Sequence, residues 1–122
     1  MIKELLIVGF GSFLGGVARY LVAVVMKGAS AAFPWATLTA NITGCLLIGI
    51  ICALFNRCSS VPSHLYLFCT VGFCGGFTTF STFSRESLLL LQSGSYRAFF
   101  FYSLGSLILG IAAVMAGYAM VR

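Results

Sequence analysis

Gly72-Phe73-Cys74-Gly75-Gly76-Phe77-Thr78-Thr79-Phe80-Ser81-Thr82-Phe83-Ser84 is the stretch that decides the fold of this chain. It packs three glycines and five hydroxyl residues into thirteen positions of a long apolar run. In lipid, every backbone N–H and C=O needs an internal partner, so glycine-rich irregular backbone is tolerated only inside protein or along a polar path. Broken helices at mid-membrane mark ion and substrate sites. No charged residue falls within the stretch.

Working outward, the whole chain reads as membrane-embedded. Of its 122 residues, 61% are hydrophobic and only 7% charged, against about 25% charged in soluble domains. Four stretches, near residues 5–26, 34–55, 65–92 and 98–121, are long enough to cross a hydrocarbon core of about 30 Å. The reading is one all-α transmembrane domain over residues 1–122, with four helices. The third stretch is too long for one straight helix, because it would extend roughly 42 Å at the helical rise. An unwound segment near 75–79 shortens it and frees carbonyls. No polar catalytic domain is left over. The first stretch runs too long for a signal peptide and lacks a small-residue cleavage site.

The net charge of +5 does not indicate nucleic-acid binding, because the basic residues are scattered at helix ends. With four spans, Lys3, Arg57 and Arg122 fall on one side. Lys27 and Arg97 fall on the other, with Arg19 and Arg85 nearer that side. Orientation follows a Lys/Arg excess on the cytoplasmic side, and here there is almost none. Either another element fixes the topology or the chain inserts both ways.

The remaining features are mostly packing signals. Gly11 and Gly15 form a G-x-x-x-G pair, with Ser12 and Gly16 beside it, and such faces let membrane helices approach closely. Thr37, Asn41 and Gly44 share a helical face. An asparagine inside a span must face protein or a wet cavity. Tyr102, Ser106, Gly110, Ala113 and Gly117 form one stripe, which serves as a packing face or as half of a polar path. Arg19 either snorkels to the headgroups or lines a vestibule. Arg85 and Glu86 suggest a local ion pair at the interface. The five cysteines (Cys45, Cys52, Cys58, Cys69 and Cys74) show no C-x-x-C spacing, so neither a metal site nor a disulfide framework is expected. No nucleophile–base pair stands out, and an enzyme is not expected.

Taken together, the sequence resembles the Fluc-type fluoride channels of the CrcB family, through all four spans. The resemblance rests on Gly15-Gly16-Val17-Ala18-Arg19-Tyr20, on Thr37-Leu38-Thr39-Ala40-Asn41-Ile42-Thr43-Gly44 and above all on Gly72 to Ser84 with Glu86. Ala36 and Gly110 depart from the family pattern, which has glycine before Thr-Leu and, in some members, serine in the fourth helix. The resemblance implies an antiparallel, dual-topology homodimer in a bacterial plasma (inner) membrane, with two fluoride pores. It implies Asn41, Phe80, Ser81, Thr82, Phe83, Tyr102 and Ser106 along the pore, with Arg19 in a vestibule. It also implies a structural sodium ion at the dimer interface, held by the backbone carbonyls of Gly75 and Thr78.

Two other membrane readings compete. A small multidrug-resistance-type transporter needs a carboxylate in mid-span. The acidic residues are Glu4, at the very start, and Glu86, so that reading lacks its central residue. A non-conducting assembly subunit would leave the hydroxyl and phenylalanine cluster without a purpose.

Overall fold

The computed structural model describes residues 1–28, 33–58, 60 and 62–121, and Arg122, used in the charge count, lies outside them. Among the described residues, four helical stretches are long and apolar enough to cross a membrane: Ile2–Val25, Trp35–Arg57, Ser63–Gln92 and Tyr96–Val121. The first, second and fourth are single helices, α1 (Ile2–Val25), α2 (Trp35–Arg57) and α6 (Tyr96–Val121). The third is composite. It runs as α3 (Ser63–Leu67), a π-helical segment (Phe68–Cys74) and α4 (Gly75–Phe77), then restarts as α5 (Ser81–Gln92).

The turn between α5 and α6 is fixed by Gly94, whose φ of 77° lies in the region that glycine enters without a Cβ penalty. Ser95 N–H donates to the Leu90 carbonyl (2.9 Å) and Gly94 N–H to that of Leu91 (3.1 Å). This is the Schellman arrangement, which satisfies carbonyls left open at a helix end.

The helices pair as α2 with α6, the most extensive packing, and α1 with the third stretch. Both pairs run parallel. Cys45 lies against Gly110, and Leu46 against Gly117. Further along, the Arg57 guanidinium donates to the Val121 carbonyl at 2.7 Å. In the other pair, Gly11 meets Gly72 and Gly15 meets Phe73 and Phe77. Spans of alternating direction produce this arrangement. It gathers Glu4, Arg57, His64 and Val121 at one end, where Glu4 and His64 come within 4.0 Å.

Small residues set both seams. A Cβ on Gly15 would overlap the Phe73 carbonyl, and one on Gly117 would overlap the Leu46 carbonyl. Gly16 is different: nothing lies within 4 Å of where its Cβ would be, so only Gly11, Ser12 and Gly15 of that motif face the seam. On α6, Tyr102, Gly110, Ala113 and Gly117 are the buried positions.

Candidate functional site

The helical path of the third stretch is interrupted at Thr78–Phe80. Thr78 has extended backbone (φ −88°, ψ 161°). Gly75 and Gly76, where unwinding was expected to begin, remain helical. Gly76 serves the packing, since a Cβ on it would lie 2.6 Å from the Ser12 carbonyl of α1, whereas a Cβ on Gly75 would meet only an ordinary contact at 3.8 Å. Two other features accompany the interruption. The Thr78 hydroxyl donates back to the Cys74 carbonyl at 2.9 Å, a contact that bends helices. Asn41 then competes for the backbone of the next residue.

Asn41 holds Thr79 at two points. Its Oδ1 accepts the Thr79 N–H at 2.8 Å, and its Nδ2 donates to the Thr79 carbonyl at 3.1 Å. The Thr79 hydroxyl in turn accepts the Thr82 N–H at 3.2 Å, as a capping side chain does at a helix start. In a continuous helix the Thr79 N–H would reach the Gly75 carbonyl and the Thr82 N–H that of Thr78. Both donors are diverted, so these two carbonyls lose their helical partners. The Gly76 carbonyl instead receives the Nε–H of Arg19 at 3.3 Å.

Beside the interruption lies an open groove of about 730 Å³, lined by α2, the third stretch and α6. Asn41, Gly75, Thr78, Phe80, Phe83 and Ser106 all line it. No lining residue carries a charge. The Ser106 Oγ is buried with no hydrogen-bond partner among the described residues. Phe80 projects freely, 79% exposed, and its ring lies 5.9 Å from that of Phe83.

The other residues implied for the pore stand apart from the groove. Ser81 is exposed at the start of α5, and Thr82 contributes the amide described above. Tyr102 is wholly buried, its ring 5.0 Å from Phe83 and its hydroxyl donating to Glu86 Oε1 at 3.0 Å. The Glu86 carboxylate therefore faces a buried tyrosine. Among the described residues no ion pair joins it to Arg85, because a helix points successive side chains about 100° apart. Arg19 reaches the α1 side of the interruption, away from the groove-lining residues.

Sequence reasoning gave no site role to Cys45, Cys74 or Ser103, all of which line the groove. For Ser103 a signal existed. Ser103, Ser106 and Gly110 recur at i, i+3 and i+7, which is one helical face. No local signal marks Cys45 or Cys74, since an apolar run gives a cysteine no distinguishing neighbour.

The sequence matches those of known proteins along almost its full length. Residues 6–118 match the family described as "CrcB-like protein, Camphor Resistance (CrcB)". The fluoride-specific ion channel FluC of Phocaeicola vulgatus is 47% identical over 119 residues, covering 97% of this chain and 98% of that protein. The protein of the same name from Nitrobacter winogradskyi is 44% identical over 119 residues, covering 97% and 94%. That of Azobacteroides pseudotrichonymphae is 37% identical over 121 residues, covering 98% and 97%. The match takes in all four apolar stretches and the interruption between α4 and α5, and on it this chain belongs to the CrcB family of multi-pass membrane proteins.

Proposed function

We propose that this chain is a passive fluoride channel, and that it works as an antiparallel, dual-topology homodimer with two pores. The observation that carries the reading is the groove. It offers neutral donors and aromatic rings without a charge, in a chain whose relatives are named fluoride-specific ion channels.

The residue types suit the ion. Fluoride is small and strongly hydrated, so a pore must replace its water with donors. Conduction requires binding weak enough for the ion to leave, which argues against a fixed cation in the path. One Asn41 Nδ2–H is spent on Thr79, and the second is free to face the groove. The unpartnered Ser106 hydroxyl is a second donor. Phe80 and Phe83 contribute ring edges, the positive end of the aromatic quadrupole. A narrow lining of such groups disfavours larger chloride by size. In a cell the channel would carry fluoride outward: HF crosses lipid, dissociates in a less acidic cytoplasm, and the anion leaves down its gradient.

What one chain leaves open supports the dimer. Phe80 is 79% exposed and the groove is open, so a second, inverted copy would close it. The near-balanced Lys/Arg distribution suits insertion in both directions. The implied sodium ion also fits the residues present. Gly75 and Thr78 have carbonyls without their helical donors, and such groups need a partner at membrane depth. Gly75 and Thr78 would hold it through backbone oxygens, and the ion would supply fixed positive charge between the pores.

Efflux from potassium fluoride-loaded liposomes with valinomycin tests the function. Rapid fluoride release with chloride retained is the expected result. Equal release of both anions, or none of fluoride, would overturn it.

A further inference from the structure

The interruption opens backbone groups at Gly75, Gly76, Thr78 and Thr79, and two helices sort them. Asn41 of α2 takes both polar groups of Thr79. Arg19 of α1 takes the Gly76 carbonyl. The Gly75 and Thr78 carbonyls are left without helical donors, on the face that lines the groove. Gly76 turns the other way, against Ser12.

The Arg19 contact is built by the fold. α1 and the third stretch run parallel with backbones touching at Gly11, Gly15, Gly72 and Gly76. Side chains on a helix lean toward its N-terminus. Arg19, two turns beyond Ser12, therefore reaches back onto the carbonyl at the C-terminal end of α4. A cation is favoured there, because carbonyls at a helix end carry partial negative charge. A guanidinium bond to a carbonyl is also stronger than a neutral one.

From this we infer that Arg19 is a positioning residue for the interruption. By occupying the Gly76 carbonyl it fixes the end of α4, and so holds the Gly75 and Thr78 carbonyls facing the groove, ready for a small monovalent cation. This goes beyond a vestibule charge that attracts anions. The cation part rests on the sodium reading above, whereas the bracing of the backbone does not.

The test uses the purified full chain in detergent, with Arg19→Met and, as a charge control, Lys27→Met. Lys27 is exposed just beyond the end of α1 and its loss removes the same charge without touching the interruption. Melting is followed against sodium chloride, with N-methylglucamine chloride holding ionic strength constant. Hydrogen exchange is followed at the Thr79 amide. For Arg19→Met the half-saturating sodium concentration should rise about tenfold, and Thr79 should exchange about tenfold faster, as expected for one lost charge-assisted bond. Lys27→Met should match the parent in both. Arg19→Lys, which keeps a charged donor, should recover part of each effect. If Arg19→Met cannot be purified, Arg19→Gln carries the same comparison.

Each outcome decides something. Arg19→Met and Lys27→Met behaving alike in both measurements would overturn the inference. A parent protein whose melting ignores sodium, with Thr79 exchange still accelerated by Arg19→Met, would remove the cation reading and leave the bracing role standing. Sodium dependence that shifts equally in both variants, with Thr79 exchange unchanged, would reduce Arg19 to a surface charge.

Discussion

The two parallel helix pairs solve the same packing problem and differ in what they do with their backbones. In α2 and α6 the glycine seam at Gly49 and Gly117 joins two uninterrupted helices, and each backbone group inside them is satisfied along its own helix. In α1 and the third stretch an equally tight seam, at Gly15 and Gly76, holds a helix that stops at Phe77 and restarts at Ser81. There the Gly76 carbonyl and both polar groups of the Thr79 backbone are met by side chains from two neighbours, Arg19 and Asn41. Close packing alone therefore does not create the site. The site arises where packing holds rigid a backbone that has lost its own ladder, and unsatisfied groups in lipid are costly enough that neighbouring helices must supply partners.

The hardest way to break the comparison is to prise open a seam. Gly15→Val should abolish properly folded protein, because its Cβ would meet the Phe73 carbonyl and lie 2.8 Å from the Phe77 amide. A backbone displacement of that kind costs above about 4 kcal/mol. Gly16→Val, one position along with open space around it, should purify normally. Yield of monodisperse protein on a sizing column reads the contrast, and equal yields would refute the seam.

Asn41→Ala separates the pairs next. It removes both bonds to Thr79 and leaves that backbone with open groups, at a cost of about 1–3 kcal/mol in stability. Fluoride flux should fall at least about tenfold with the lost donor. Asn56→Ala, which removes a bond to Tyr118 (3.0 Å) at the exposed end of the continuous pair, should stay within about 0.5 kcal/mol. Comparable losses in thermal melts of the two variants would mean that the interruption holds no special place.

Within the site, the phenylalanines divide by their neighbours. Phe80→Ile should lower fluoride flux with no change in the stability of the single chain, because Phe80 makes little packing contact. Phe83→Ile should lower both flux and stability, the latter by about 1 kcal/mol, since its ring sits 5.0 Å from that of the buried Tyr102 and a buried aromatic pair contributes about that much. Paired efflux and melting measurements check this, and a Phe80→Ile protein that loses stability with its flux would indicate a packing role instead.

The smallest effect is expected in the continuous pair. A Cβ on Gly110 would sit 3.5 Å from the Cys45 sulfur, an ordinary contact. Gly110→Ser should fold normally and extend the row of Ser103 and Ser106 hydroxyls along the groove, with flux changed within about threefold, as fits one added weak site. A collapse of folding would show that this seam is tighter than its geometry indicates.

Much of this could be read without coordinates because the physics is one-dimensional. Apolar run length against bilayer thickness gave the four spans. Helical spacing gave the stripe of Tyr102, Ser106, Gly110, Ala113 and Gly117, of which all but Ser106 are buried. The glycine and hydroxyl cluster marked where to look in the third span. Which residue does what depended on partners distant in sequence. The glycines looked like the unwinding element, yet Gly76 is helical and pressed against Ser12, while the interruption lies at Thr78–Phe80, where Asn41 captures a backbone 38 positions away. Glu86 seemed to belong with its neighbour Arg85, but it faces Tyr102 across to α6. Arg19 could be read as snorkelling or as lining a vestibule, and its bond to Gly76 spans 57 positions. Local pattern determines whether a segment is helical and buried. The satisfaction of a released carbonyl or amide is decided by whatever donor the folded helices bring within about 3 Å, and that only the tertiary structure supplies.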